Sequence, residues 1–179
     1  MNRTALSALF LSTAVFAQTA SLSPLAGASA APAAQPAPMN MAAVVVNDAA
    51  TRTAKVNLVA GQGTANNGLN YNGASKGEKT LTVPLGWTVE VTLTNAGRAP
   101  HNMLVLTGSA LPTAIDPARV PFPGAVTKVI APGGAAETTK FTANRPGSYT
   151  LLCGVGRHAQ NGMYIKLVVT NSVKAATYQ

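Results

Sequence analysis

The 179-residue chain holds one ordinary domain behind any leader, and its single cysteine excludes a fold stapled by internal disulfides. Thirteen Lys and Arg against five Asp and Glu give a net charge of +8 and a pI near 10.1. The positive residues are scattered, aromatics are few, and no basic helix or RNA-binding signature appears, which excludes nucleic acid as a partner.

The chain opens with a basic residue, Arg3, followed by an apolar run over 5–16 and by small residues near Val15-Phe16-Ala17 and Ala28-Ser29-Ala30. This pattern predicts a signal peptide over 1–30, cleaved near residue 17 or 30. The run is shorter than the roughly 20 apolar residues of a membrane span, so release into the periplasm or the medium is expected. An uncleaved anchor, holding the domain on the outer side of the membrane, is the alternative. No twin arginine precedes the run and no cysteine stands near the cleavage region to carry a lipid. Residues 31–42 are rich in Ala and Pro and lack apolar periodicity, and they read as an extended linker. A single domain is expected over 43–172, with a short tail over 173–179.

Within that domain the apolar period is two. Trp87, Val89, Val91 and Leu93 alternate with Thr88, Glu90, Thr92 and Thr94, the pattern of a strand with one buried face. Further strands are expected over 43–46, 55–59, 80–83, 102–106, 127–130, 138–142, 149–153 and 163–170. Turn signals such as Pro132-Gly133-Gly134 and Arg145-Pro146-Gly147 separate them. Short strands joined by Gly/Pro turns, without a long amphipathic helix, predict an all-β sandwich or Greek-key barrel. The stretch 108–126 is too long for a hairpin loop, and a short helix or a cover over one end of the barrel is expected there.

Cys153, His158 and Met163 stand in the spacing C-x4-H-x4-M, and the only other histidine is His101. A lone cysteine is ordinarily a small buried hydrophobe and a methionine a core filler. Here the whole supply of Cys and His falls in one short loop and beside one further strand. A thiolate, two imidazoles and a thioether form the mixed soft donor set of a mononuclear blue-copper ion, with His, His and Cys in a trigonal plane and a weak axial Met. Ligation would also protect an unpaired thiol in an oxidising compartment. Tyr149, Leu151 and Cys153 share a strand face, so the sulfur is expected to point inward among apolar groups.

The segments Pro146-Gly147-x-Tyr149-x-x-x-Cys153, C-x4-H-x4-M and Pro100-His101-Asn102 resemble the cupredoxins, the small blue-copper electron carriers. Asn70-Tyr71-Asn72-Gly73-Ala74-Ser75-Lys76-Gly77, followed by Val83-Pro84-Leu85-Gly86-Trp87, is similar to the sulfocyanin branch in particular. The resemblance covers roughly 55–170. It implies a cupredoxin-like Greek-key sandwich and one type 1 copper per chain, with His101, Cys153 and His158 equatorial and Met163 axial. It further implies that Asn102 tethers the two ligand-bearing segments and offers a backbone N–H to the Cys153 sulfur. Related loops often place Pro-Gly before the histidine. This chain has Gly156-Arg157, which puts a fixed positive charge beside the site.

An enzyme is not expected. A multicopper oxidase or copper nitrite reductase needs further histidines, and a Ser-His-Asp hydrolase needs a free one. Gly61-Gln62-Gly63 lacks the Gly-Lys-Ser/Thr ending of a phosphate loop. Copper trafficking favours exposed Met or Cys clusters, of which only Met39 and Met41 hint, and the weak thioether disfavours structural zinc. The expectation is a monomeric one-electron carrier, its basic surface meeting acidic redox proteins, with membrane contact only through an uncleaved signal segment.

Overall fold

The computed structural model describes residues 43–179. The expected signal peptide and linker lie outside the described residues. Two sheets face each other. One has the order β1-β2-β4-β6 and contains β1 (Val45–Asp48), β2 (Thr53–Ala60), β4 (Thr88–Asn95) and β6 (Glu137–Thr142). The other has the order β5-β7-β8-β3-β9, with β3 (Thr80–Pro84), β5 (Leu104–Thr107), β7 (Gly147–Leu152), β8 (Tyr164–Thr170) and β9 (Thr177–Tyr178).

The period of two in the sequence becomes the space between these sheets. Ala54, Val56, Leu58 and Ala60 of β2 lie inward beside Val89, Val91 and Leu93 of β4, all buried, because the parallel register puts Val56 opposite Val91 and Leu58 opposite Leu93. From the second sheet, Leu81, Val83, Tyr149, Leu151, Ile165, Leu167 and Val169 close the same core. Each fully buried aliphatic side chain contributes about 1.5–3 kcal/mol. Shifting either central strand by one residue would turn its whole apolar set to water. Strand β7 is buried on both faces: Tyr149 and Leu151 enter the main core, while Leu152 joins Leu104, Leu106 and Ala159 in a smaller cluster.

Residues 127–130, expected as a strand, do not form one. Backbone pairing with the His101 segment occurs only at isolated bridges, His101 with Ile130 and Leu104 with Val126. The reason is local: the Thr127 hydroxyl, rather than a carbonyl, accepts the Met103 N–H at 3.0 Å, and Val129 is 56% exposed, so the ladder is interrupted. Strand β5 accordingly begins at Leu104, leaving His101 and Asn102 on the approach to it. The long stretch 108–126 carries one 3-10 turn, Pro117–Arg119. It is anchored by Phe122, whose ring lies 5.4 Å from Phe141 and 4.9 Å from Tyr149.

The segment 173–179, expected as a tail, instead returns to the sheet. Strand β9 pairs antiparallel with β3, and Asn47 of β1 both donates to the Ala176 carbonyl and accepts its N–H, at 2.9 and 2.8 Å. A two-residue strand carries too little sequence pattern to stand out. Its place is set by these long-range bonds.

Candidate metal centre

Strand β7 ends at Leu152, and Cys153 follows at the mouth of the sandwich. The loop from Cys153 to Met163 folds back on itself. The Cys153 N–H donates to the Met163 carbonyl at 3.1 Å, the Met163 N–H to the His158 carbonyl at 2.9 Å, and the His158 N–H to the Val155 carbonyl at 3.0 Å. Its ends are thereby pinned together before β8 begins at Tyr164. His101 comes from the other side, held by reciprocal backbone bonds with Ile130 of 3.0 and 2.7 Å.

The folding brings three of the expected residues, His101, Cys153 and His158, together. Cys153 Sγ lies 3.8 Å from His101 Nδ1 and 3.5 Å from His158 Nδ1, and the ligand atoms of all three side chains lie within 4.8 Å of one another. The imidazole centroids are 5.0 Å apart, with the rings inclined at 54°. A first-row metal with bonds of about 2.0 Å to nitrogen and about 2.3 Å to sulfur, meeting in a trigonal plane, separates sulfur and nitrogen by about 3.7 Å. The observed pair of distances brackets that value, so the donor set and its spacing fit one mononuclear ion. Among the described residues this is the one cluster of three or more His, Cys, Asp or Glu side chains able to hold a metal. Met163 is fully buried, as are Cys153 and His101 apart from 1% of the latter, whereas His158 is half-buried.

The electrostatics suit a neutral, dry ligand cage. Burial, helped by the neighbouring His158, pushes His101 down to about 4, and burial lowers His158 as well, so both rings are neutral and offer lone pairs at ordinary pH. Burial raises the Cys153 thiol, against the opposing pull of the backbone at Asn102 and Val155 and of the Tyr71 side chain nearby. A metal must therefore displace a proton from this thiol, and the surrounding donors stabilise the thiolate that results.

Asn102 links the two segments that meet at the site. Its Oδ1 accepts the Gly154 N–H at 2.7 Å, tying the His101 segment to the Cys153 loop, and lies 3.7 Å from the Cys153 sulfur, while its backbone pulls the thiol down. Sequence reasoning missed what lies beneath. The connection 61–79 between β2 and β3 touches both ligand-bearing segments. The Tyr71 hydroxyl donates to the Asn102 carbonyl at 2.5 Å, Asn66 Nδ2 donates to the Asn161 carbonyl at 2.9 Å, and the Lys76 N–H donates to the Gly162 carbonyl at 2.7 Å. At its start Gly61 packs on Gly97, which in turn packs on His101: a Cβ on Gly61 would stand 2.5 Å from Gly97 Cα, and one on Gly97 would stand 3.1 Å from His101 Nε2. The available signal was a lone aromatic in a stretch dense in Asn and Gly, too weak to assign a contact partner.

A two-sheet β-sandwich with a buried Cys and two His converging by their Nδ1 atoms at one end defines the cupredoxin class, whose cofactor is a single type 1 copper. Comparison with known proteins agrees. The family described as the sulfocyanin (SoxE) domain matches residues 40–179, and the chain belongs to that family. The sulfocyanin of Sulfolobus acidocaldarius is 32% identical over 120 residues, which cover 61% of this chain and 59% of that relative; the chain thus matches a little over half of the relative's length. Among solved structures, the dithionite-reduced auracyanin of Roseiflexus castenholzii is 29% identical with a TM-score of 0.49, covering 64% of this chain and 95% of that one. Auracyanin A of Chloroflexus aurantiacus, described as a "blue" copper protein, is 22% identical with a TM-score of 0.48, covering 65% and 98%. Among the described residues no helix is long and apolar enough to cross a membrane.

Proposed function

We propose that the chain is an exported one-electron carrier in which His101, Cys153 and His158 hold copper in a trigonal set and Met163 is the weak axial ligand. The observation that carries this reading is the convergence of one sulfur and two Nδ1 atoms at 3.5 and 3.8 Å in a buried cage. Copper bound there supplies a Cu(II)/Cu(I) couple. The protein's part is to hold the donors still: the pinned loop, the Ile130 pairing and the Asn102 tether leave little to rearrange when an electron arrives or departs. The cage uses both histidines of the chain, leaving none to serve as a catalytic base or a second copper site.

Half-buried His158 is the natural entry point. Beside it Val155 is half-buried, while Gly156 and Arg157 are exposed, and Arg98 is exposed on the His101 side. An apolar spot rimmed by positive charge suits an acidic redox protein that docks transiently. Export rests on Arg3 and the apolar run 5–16, with 1–30 as the signal segment, 31–42 as the linker and a monomeric domain following.

The test is an optical spectrum of the copper-loaded mature protein. An intense visible thiolate-to-copper band is expected in the cupric form, and Cys153→Ser should abolish it, since Cys153 is the sole thiol. A Cys153→Ser protein that stays blue would overturn the reading.

A further inference from the structure

We propose that Tyr71 is a positioning residue of the metal centre, its hydroxyl fixing the Asn102 peptide against the Cys153 sulfur and thereby setting the reduction potential. The inference rests on the copper reading of Cys153. Tyr71 is fully buried in the main core. A buried hydroxyl costs free energy unless it finds a partner, and a phenylalanine would fill the same space without that demand. The hydroxyl donates to the Asn102 carbonyl at 2.5 Å and also interacts electrostatically with Cys153.

Its backbone is anchored firmly enough for the role. Tyr71 and Ala74 exchange backbone bonds of 2.9 and 2.8 Å, closing a tight turn. Asn72 ties that turn to β2 three times: its N–H donates to Val59, its Oδ1 accepts from Val59, and its Nδ2 donates to Asn57. The phenol thus projects from a strand-bound turn into the underside of the metal cage. Asn102 is consequently held from two sides, its carbonyl by Tyr71 and its Oδ1 by the Gly154 N–H, with Oδ1 also 3.7 Å from the Cys153 sulfur, and its backbone pulls the Cys153 thiol down.

The sign of the effect follows from charge. Reduction adds one negative charge to the centre, and polar hydrogens near the sulfur favour the more negative state. Removing the hydroxyl loosens the Asn102 peptide beside the sulfur and should thereby favour the oxidised form.

The experiment compares the full chain with Tyr71→Phe and with Val83→Ala, a buried core position in β3 outside the cage. In copper-loaded Tyr71→Phe, the equilibrium with a reference redox couple should shift toward the oxidised protein by about threefold or more, and the charge-transfer band should move. In the metal-free protein, amide exchange of Gly154 should accelerate in Tyr71→Phe, because its acceptor on Asn102 is less firmly held. Val83→Ala should lower thermal stability and leave potential, band and Gly154 exchange as in the parent. A Tyr71→Phe protein with parental potential, band and exchange would overturn the proposal, as would matching shifts in Val83→Ala. A parent protein that never turns blue with copper would instead reject the copper reading, and Gly154 exchange would still report on the strut.

Discussion

The loop 153–163 carries Cys153, His158 and Met163, whereas the connection 61–79 contains no Cys, His or Met and yet reaches both sides of the same site. The loop supplies donors, and its own backbone bonds hold its ends together. The connection supplies position: Tyr71 and Gly61 bear on the His101 side, Asn66 and Lys76 on the far end of the loop. The difference teaches that ligand identity and ligand placement are encoded separately. Donor chemistry is confined to few residue types, while bracing uses backbone groups, amides and the absence of side chains.

The largest expected effect probes the histidine that the brace covers. His101 stands at about 4 in the folded protein against an ordinary value of 6.5, so between these values the unfolded chain binds more protons than the native one. Stability of the metal-free protein should therefore rise with pH from about 4 to 6.5, by up to about 3 kcal/mol, and fall as acid is added across that window. Denaturant melts of metal-free protein across this range check it. A flat profile would mean that His101 is not held neutral and dry. His101→Gln should make the profile shallower, leaving the part contributed by His158, which burial lowers as well.

Next in size is a pair of substitutions within the brace. Gly61 and Gly63 both have left-handed backbone, with φ of +71° and +62°, so Ala at either position costs about 1–2 kcal/mol from the backbone alone. A Cβ at Gly63 meets nothing within 4 Å, whereas at Gly61 it runs into Gly97 and pushes toward His101. Both variants should melt earlier, but only Gly61→Ala should weaken copper binding, by about tenfold if it acts as outer-shell partners do. Equal copper affinities in the two variants would break the link between brace and ligand.

A smaller effect is expected within the loop. Met163→Leu removes the thioether and roughly keeps the volume of a fully buried side chain. Copper should remain bound and the reduction potential should rise, as voltammetry can measure. Loss of all copper would give Met163 a structural weight that this comparison denies it.

The smallest effect lies at the surface. Arg157→Glu should slow electron transfer with an acidic partner severalfold at low salt, while Lys174→Glu, in the segment before β9, should change it little. Steering is screened within about 10 Å at 0.1 M ionic strength, so the gap between the variants should close as salt is added. Stopped-flow kinetics across a salt series would show whether the loop's charge or the overall charge of +8 does the steering.

The four ligand candidates, the period-two strands and the sandwich were legible in the chain because each is a local pattern. Cys and His are scarce enough that C-x4-H-x4-M stands out, and alternation such as Val89, Val91 and Leu93 reports a half-buried strand without knowledge of its neighbours. Only the tertiary structure decided the rest. The tail became β9 through bonds between Asn47 and Ala176, the strand expected over 127–130 was interrupted when Thr127 took the Met103 N–H, and Tyr71 met Asn102 across 31 positions of sequence. Each of these depends on one polar group finding one distant partner, and a single long-range hydrogen bond imposes no periodicity on the residues around it.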